Sequence, residues 1–551
     1  MESLTEIRET AERLTSRFGD EAFYAALCVR SGIIGPDLPH RVAQMGVAIE
    51  RYGMLGGVVA LAGIRHRDHL AVIDEIGELT WGELDQRINA IATAWIEDGL
   101  EPGDGVAILA RNHRGLLEAL FAGAKCGAKV ILMNTGFSGP QILEVAEREG
   151  VDLLVCDEEF EPRIGDWEPR LGKVRSWLDT RLNDDDTLEA LIASTPPRLP
   201  PKPAQGPRLV ILTSGTTGTP KGAGRHVPLS LSPVGGPLSK VPYRAREVTE
   251  MCAPIFHALG FSQTILAVAL GSTLVLHRKF DPLDTLESID QNGVTTIVMV
   301  PVMLQRLMAQ SDVAWAEHDV STVRIIFVSG SKLTADLAER TMQRFGPVLY
   351  NLYGSTEVAY ATIATPADMR AAPGTVGRVV HGAAVKVLGD DGDELPAGQT
   401  GRVFVGNAIQ FEGYTGGGDK ERIDGLMASG DVGHFDDSGR LFIDGRDDEM
   451  IISGGENVFP MEVEETIMRC DGVADAAVVG VDDPEWGQRL RAFVVRAPDV
   501  ARSALSEEVV RRFVHENLAN YKVPRDVVFV DELPRTATGK VLKRELRERP
   551  S

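Results

Sequence analysis

The stretch Arg208-Leu-Val-Ile-Leu-Thr-Ser-Gly-Thr-Thr-Gly-Thr-Pro-Lys-Gly222 decides how the rest of this chain is read. Its first half, Leu209 to Leu212, is an unbroken apolar run, the pattern of a strand buried on both faces. Its second half alternates hydroxyl residues with glycines and ends on a lysine. Such a loop can turn its backbone N–H groups toward phosphate oxygens. Thr213, Ser214, Thr216 and Thr217 add hydroxyl donors, Gly215 and Gly218 leave room, and Lys221 adds a compact positive charge. The Gly-Lys-Ser/Thr loop of nucleotide hydrolases is excluded, because Pro220 precedes the lysine and Gly222 follows it.

Upstream, from about Leu70 to Cys156, helix and strand patterns alternate. Residues 79–99 read as an amphipathic helix capped by Thr80, with Glu83 three positions on. Residues 103–110 read as a strand, 113–127 as a helix and 128–134 as another strand. This alternation predicts an α/β fold with parallel sheets covered by helices. Residues 184–206 interrupt it with Asp184-Asp185-Asp186 and five prolines, the composition of a linker or surface loop. The rhythm resumes at 208, 295–301 and 323–330. From about Gly374 short strands with Asp-Gly turns predict a small β-rich unit. After Asp444-Gly445-Arg446 the pattern is helix, strand, strand, helix, strand, as in a small α+β domain. The expected organisation is a large N-terminal domain over 1–445, with its β-rich part at about 375–445, and a mobile C-terminal domain over 446–551.

Lys and Arg number 57 against 80 Asp and Glu, a net charge of −23, which argues against nucleic acid as a partner. The five cysteines form no CxxC pair, so a reducing compartment without a metal cluster is expected. The N-terminal 21 residues are charged and helix-patterned, unlike a signal peptide. Met251 to Leu276 lacks charged residues apart from a protonatable His257. Pro254, His257 and Gln263 interrupt it, so it reads as strand, loop and helix rather than as a membrane span. Gly53 to Ile64 is too short to span. A cytoplasmic protein without an integral span is expected, with peripheral membrane contact and homo-oligomerisation left open.

Thr213 to Gly222 resembles the signature of the adenylate-forming (AMP-binding) enzymes, of the acyl-CoA synthetase or fatty acid–CoA ligase type. Further motifs follow in the family's order. They are Pro254-Ile-Phe-His257-Ala-Leu-Gly260, Asn351-Leu-Tyr-Gly-Ser-Thr-Glu357, Ser429-Gly-Asp431, Gly445-Arg-Asp-Asp448, Gly454-Gly-Glu-Asn457 and Pro534-Arg-Thr-Ala-Thr-Gly-Lys540. The resemblance covers about residues 70–548. It implies ATP binding by the loop from Thr213 to Lys221, by Ser329-Gly330-Ser331, and by Asn351, Leu352, Tyr353, Gly354, Ser355 and Thr356. Tyr353 would stack on adenine, Thr356 would contact the α-phosphate and Glu357 would help hold Mg²⁺. Asp431 would accept the ribose hydroxyls, and Arg446 would reach the ribose or a phosphate. Lys540 would bridge the attacking carboxylate and the α-phosphate, and His257 would position the acyl and thiol groups. Asp448 would be the hinge about which the C-terminal domain swings, bringing Ser453, Gly454 and Gly455 to the CoA thiol path. Two positions depart from the pattern: Lys332 stands where the family often has proline, and Ser429 where it usually has threonine.

The implied activity is a two-step acid–CoA ligase: an acyl-adenylate forms from a carboxylic acid and ATP, and CoA then displaces AMP. Residues 253–263 hold no Asp or Glu to pair with an ammonium, which disfavours an amino acid. Small Ala258 and Gly260, with the apolar run Val300–Leu304, suggest an aliphatic pocket, so a medium- or long-chain fatty acid is expected. The alternatives are an aryl or other carboxylic acid, a standalone acyl-AMP ligase serving a carrier protein, and a luciferase-type oxygenase.

Overall fold

The structure is a computed structural model that describes residues 19–549 except 180–185, 214–220, 226–229, 410, 412, 416, 418, 454–455, 484–486, 499, 501–503 and 537–538. Residues 19–31 are helical; the rest of the N-terminal segment expected to be helical lies outside the described residues.

A nine-stranded sheet runs in the order Arg378–Val379, Thr362–Ala364, Leu349–Tyr353, Ile325–Val328, Thr296–Met299, Val248–Met251, Thr273–Leu276, Leu70–Asp74, Gly77–Thr80. From Leu349–Tyr353 to Leu70–Asp74 all pairs are parallel, and only the edges are antiparallel. The inner strands Thr296–Met299 and Ile325–Val328 are buried along their whole length, which their continuous apolar sequences predict. A six-stranded sheet orders Lys173–Trp177, Val151–Asp157, Gly105–Leu109, Lys129–Leu132, Arg208–Thr213 and Lys221–Arg225. Its last two strands form an antiparallel hairpin that pairs Thr213 with Lys221, so the two ends of the glycine-rich loop meet.

One hydrophobic core joins the facing sides of both sheets through the helices Pro39–Arg65, Trp81–Glu97, Arg114–Lys125 and Ala258–Leu270. Helix Trp81–Glu97 opens on the expected capping box between Thr80 and Glu83. The same helix layer encloses Lys125, whose ammonium reaches Asp85 at 2.6 Å and Asn89 at 2.8 Å. Removing Asp85 would leave a buried charge without its counter-ion, a loss on the order of 3–5 kcal/mol.

The β-rich unit pairs Ala384–Leu388, Gly401–Gly406, Leu426–Phe435 and Arg422–Ile423, with Leu441–Arg446 on the long strand Leu426–Phe435. Asp424 and Gly425 turn its tightest hairpin with φ of 51° and 79°, the mirror-image turn that suits twisted strands. The last sheet holds Ile451–Ser453, Glu456–Val458, Val473–Asp483, Gly487–Arg496 and Asp526–Val530 around a core of its own, with the helices Pro460–Met468 and Glu507–Asn517. The molecule is thus a large α/β portion carrying a β-rich unit and followed by a small α+β portion, the fold class expected.

Three readings need correction. The proline-rich stretch is not all loop: Leu188–Ser194 is a helix, capped by the Thr187 hydroxyl accepting from the Ala190 N–H, and its Leu188 is buried. Strand Arg378–Val379 closes the edge of the large sheet, so the β-rich sheet starts at Ala384 rather than near 375. The run Gly53 to Ile64 is the second half of one 27-residue helix, Pro39–Arg65, kinked at Gly53. That helix is long and apolar enough to cross a membrane, but its apolar half is buried in the core described above. The cysteines are all free, and no cluster of three metal-ligating side chains occurs among the described residues.

Candidate active site

Adjacent parallel strands of the large sheet deliver the motifs to one edge. Val248–Met251, Thr296–Met299, Ile325–Val328 and Leu349–Tyr353 lie side by side. Their carboxyl ends lead to the loop ending at His257, to Val300–Val302, to Ser329–Lys332 and to Tyr353–Glu357. The carboxyl edge of an open α/β sheet is where such folds bind ligands, because the loops there diverge and leave a crevice.

Tyr353 ends its strand with the phenol donating to Asp431 Oδ2 at 2.6 Å. Asp431 and Arg446 are direct cross-strand partners in the β-rich sheet, which is why the Arg446 guanidinium reaches Asp431 Oδ1 at 3.1 Å. Sequence motifs 78 residues apart are therefore one cluster. Burial and then the Asp431 charge push the Tyr353 phenol well above its ordinary range, so it stays a neutral donor. Ser429, in the threonine position, donates to the Val403 carbonyl at 2.9 Å and accepts from the Asp431 N–H at 3.1 Å. The substitution keeps the hydroxyl that orients Asp431.

Glu357 is held at both oxygens. Ser355 donates to Oε2 and Tyr414 to Oε1, each at 2.9 Å. Burial works to raise its pKa, but those hydrogen bonds and the backbone N–H outweigh it, leaving the carboxyl below its usual range. Tyr414 also carries Lys221 over its ring, the ammonium 5.1 Å from the centroid. It thus ties the end of the glycine-rich loop to Glu357. Sequence reading missed Tyr414; the available signal was an aromatic pair, Phe411 and Tyr414, flanked by glycines in an otherwise polar loop. Ala359, three residues from Thr356, holds a positive φ of 60°, a strained geometry of the kind functional loops store. Asn351 is buried in the same strand as Leu352, whose carbonyl accepts from the Ser329 hydroxyl at 2.8 Å.

His257 is the N-cap of helix Ala258–Leu270, and its Nε2 is buried without a hydrogen-bond partner. Burial, and secondarily the Lys540 charge, lower its pKa to about 4, so it is neutral above about pH 5. Gly260 does not open a pocket as expected: a side chain there would meet the Pro254 carbonyl oxygen at 2.2 Å, so the space is filled by backbone.

Lys540 arrives from the C-terminal portion. The Thr536–Lys540 turn is closed by the Gly539 and Lys540 N–H groups on Thr536. Arg535 anchors it by donating to Asp475 at 2.5 Å. Gly539 has φ +79°, and a side chain would meet Val302 Cγ1 at 2.5 Å, so only glycine lets this turn seat against the carboxyl edge of the large sheet. The Lys540 charge acts on His257 from this turn.

The structure therefore brings together Tyr353, Asp431 and Arg446, then Glu357, Tyr414 and Lys221, then His257 and Lys540. Ser453 lies on a strand that pairs with Glu456 and Gly487 inside the C-terminal sheet. The backbone at Asp448 is in the single 3₁₀ turn Asp447–Glu449 that joins the third sheet to the fourth. Ser214 to Gly218, Gly454 and Gly455 lie outside the described residues. The donors near Glu357 suit Mg²⁺, which takes oxygen ligands and needs few from protein when substrate phosphates supply the rest.

Residues 62–415 match the family model of the AMP-binding enzyme, and residues 462–540 that of the AMP-binding enzyme C-terminal domain. The chain is 33% identical to an indoleacetate–CoA ligase of Aromatoleum aromaticum, over 86% of this chain and 93% of that one. It is 34% identical to a feruloyl-CoA synthase of an Amycolatopsis species, over 86% and 94% of the two chains. Among solved structures, o-succinylbenzoate CoA synthetase from Bacillus subtilis, in complex with its acyl-adenylate intermediate, superposes with a TM-score of 0.77. The identity is 25%, and 90% of this chain and 98% of that one are covered. The chain belongs to the AMP-binding enzyme family and is an enzyme of the AMP-forming acid–CoA ligase type, using ATP, Mg²⁺ and CoA.

Proposed function

We propose that this enzyme activates an apolar, aromatic carboxylic acid, and that the residues gathered at the sheet edge divide the work as follows. The observation that carries the reading is the seating of the Gly539 turn on Val302 at the carboxyl edge, from where the Lys540 charge acts on His257, whose buried Nε2 has no hydrogen-bond partner. Two anions must meet in adenylate formation: the substrate carboxylate and the ATP α-phosphate. Lys540 neutralises the charge they share in the transition state, a preorganised contribution that costs no reorganisation during reaction. His257 offers one N–H and one lone pair without charge, suited to orienting the acid. Asp431 retains free lone pairs beyond those used by Tyr353 and Arg446, enough to accept ribose hydroxyls. Glu357 would help hold Mg²⁺, which supplies charge neutralisation on the phosphates when bound, and Thr356 would contact the α-phosphate. Lys221 and the loop before it would hold the leaving pyrophosphate.

For the second step we propose that the C-terminal portion turns about Asp448, withdrawing Lys540 and presenting the Ser453–Gly455 segment to the CoA thiol. The choice of an aromatic acid is supported by the names of the two relatives and by the absence of Asp and Glu in residues 253–263. A fatty acid is the second reading, favoured by the apolar helix Ala258–Leu270 beside His257. A panel of arylalkanoic, cinnamic, fatty and amino acids, scored by CoA-dependent AMP release, tests both. Aromatic acids should lead and amino acids should trail by at least tenfold, about 1.4 kcal/mol, which burial of two methylene equivalents covers. A preference for an amino acid would refute the reading.

A further inference from the structure

Lys332 follows the strand Ile325–Val328 at the carboxyl edge of the large sheet, next to Ser329-Gly330-Ser331. Its ammonium forms an ion pair with Glu465 on helix Pro460–Met468 of the C-terminal portion. The neighbouring Glu464 is used differently. It binds Lys543 at 2.9 Å and accepts from the Val478 N–H at 2.8 Å, both within the C-terminal portion. Of two adjacent carboxylates on one helix, Glu464 thus fastens the helix to its own sheet while its charge, with that of Asp444, also acts on Lys332, and Glu465 crosses to the large domain in the ion pair. The Lys332 side chain is 30% exposed and Glu465 is 45% exposed, so the pair is half-buried. Gly539 on Val302 is a second crossing contact, reached from a different strand edge, and Phe459 also lies against Gly445. The Lys332–Glu465 pair adds a hold away from both the Gly539 seat and the chain link at 446–448, and so opposes a pivot about the line joining those two.

We propose that Lys332 is a positioning residue for adenylate formation: its pair with Glu465 locks the C-terminal portion in the arrangement that presents Lys540. This rests on the acid–CoA ligase reading above. The second step must release the same contact, so a pair of modest strength suits it; half-exposed ion pairs are weak enough to break in each cycle.

The test uses Lys332→Glu, Glu465→Lys and the double charge swap in the full-length enzyme. Each single variant sets like charges against each other and should slow single-turnover adenylate formation by roughly three- to tenfold, the size of a partly screened ion pair. The swap should return it to within about twofold, and thioester formation from supplied acyl-adenylate should change in none of the three. Failure of the swap to restore the rate would mean that Lys332 acts on substrate or fold directly, and the proposal falls. Spin labels at Glu339→Cys and Glu508→Cys, both exposed positions on opposite portions, report the arrangement without turnover. Their distance distribution should broaden in Lys332→Glu and narrow again in the swap; an unchanged distribution overturns the proposal even if no acid tested is a substrate. Absence of adenylate in the wild-type enzyme would instead refute the ligase reading alone.

Discussion

Tyr353→Phe should weaken ATP use and leave the acid site unaltered. The phenol donates to Asp431 at 2.6 Å, a short bond to a carboxylate whose side chain is 13% exposed. Hydrogen bonds to charged groups contribute about 1.5–3 kcal/mol net. Arg446 stays on the other oxygen at 3.1 Å and limits the loss, so the lower end, about 1.5 kcal/mol, applies. If Asp431 holds the ribose, that loss appears as a roughly tenfold rise in KM for ATP, at about 1.4 kcal/mol per factor of ten. Phenylalanine keeps the ring face, so any stacking on adenine survives and does not confuse the result. Steady-state kinetics with ATP varied at saturating acid, then acid varied at saturating ATP, separates the two sites, and a thermal melt controls for folding. A KM for ATP within twofold of wild type, with the melt lowered, would show that the Tyr353–Asp431 bond is only structural. A shift in the acid KM instead would place the acyl group where ATP is assigned.

Lys540→Ala should slow adenylate formation by roughly 10²–10³ while thioester formation from supplied acyl-adenylate stays within about tenfold. Equal losses in the two half-reactions, measured by single turnover, would contradict a lysine that serves one step. Asp448→Pro should make adenylate normally but fail to pass the acyl group to CoA. A residue in a 3₁₀ turn generally takes φ near the value proline fixes, so proline at 448 is compatible with the turn Asp447–Glu449 and restricts the alternative. Normal overall turnover in that variant would falsify the hinge. His257 has a folded pKa of about 4 against an unfolded value near 6.5, so the unfolded chain binds the extra proton between them. Stability from this group is therefore complete above about pH 6.5 and is lost as pH falls toward 4, by about 2 kcal/mol at pH 5. Denaturant unfolding at pH 7 and 5 should show a smaller drop in His257→Leu than in wild type; equal drops would mean that the imidazole is not desolvated.

The alternation of apolar runs and amphipathic stretches from Leu70 to Gly330 was enough to call parallel sheets under helices, because strands buried on both faces must be continuously apolar. The capping box at Thr80 and Glu83 was legible for a similar reason: it satisfies backbone donors within one turn and needs no distant partner. The helix at Leu188–Ser194 was hidden because prolines and an acidic run surround it, and burial of Leu188 by distant elements outweighs that local composition. The edge strand Arg378–Val379 was misassigned because two residues carry no periodicity, and its membership depends only on which neighbour it pairs with.

The sequence by itself determined the chemical inventory: a glycine-rich phosphate loop, a Thr-Glu pair after a strand, a Gly-Asp, and a Thr-Gly-Lys turn near the end. Residue type and local spacing carry those, since each motif is contiguous. Tertiary structure decided which of them meet. Asp431 faces Arg446 because two antiparallel strands pair in that register, and it meets Tyr353 because one sheet packs on the edge of another. Tyr414 reaches both Glu357 and Lys221 only once the loop folds across. Gly539 turned out to be a seat for Val302, Gly260 a contact for backbone rather than an opening, and Lys332 the partner of Glu465. The Gly539–Val302 and Lys332–Glu465 contacts join residues more than a hundred positions apart, where chain connectivity imposes no distance and only packing does.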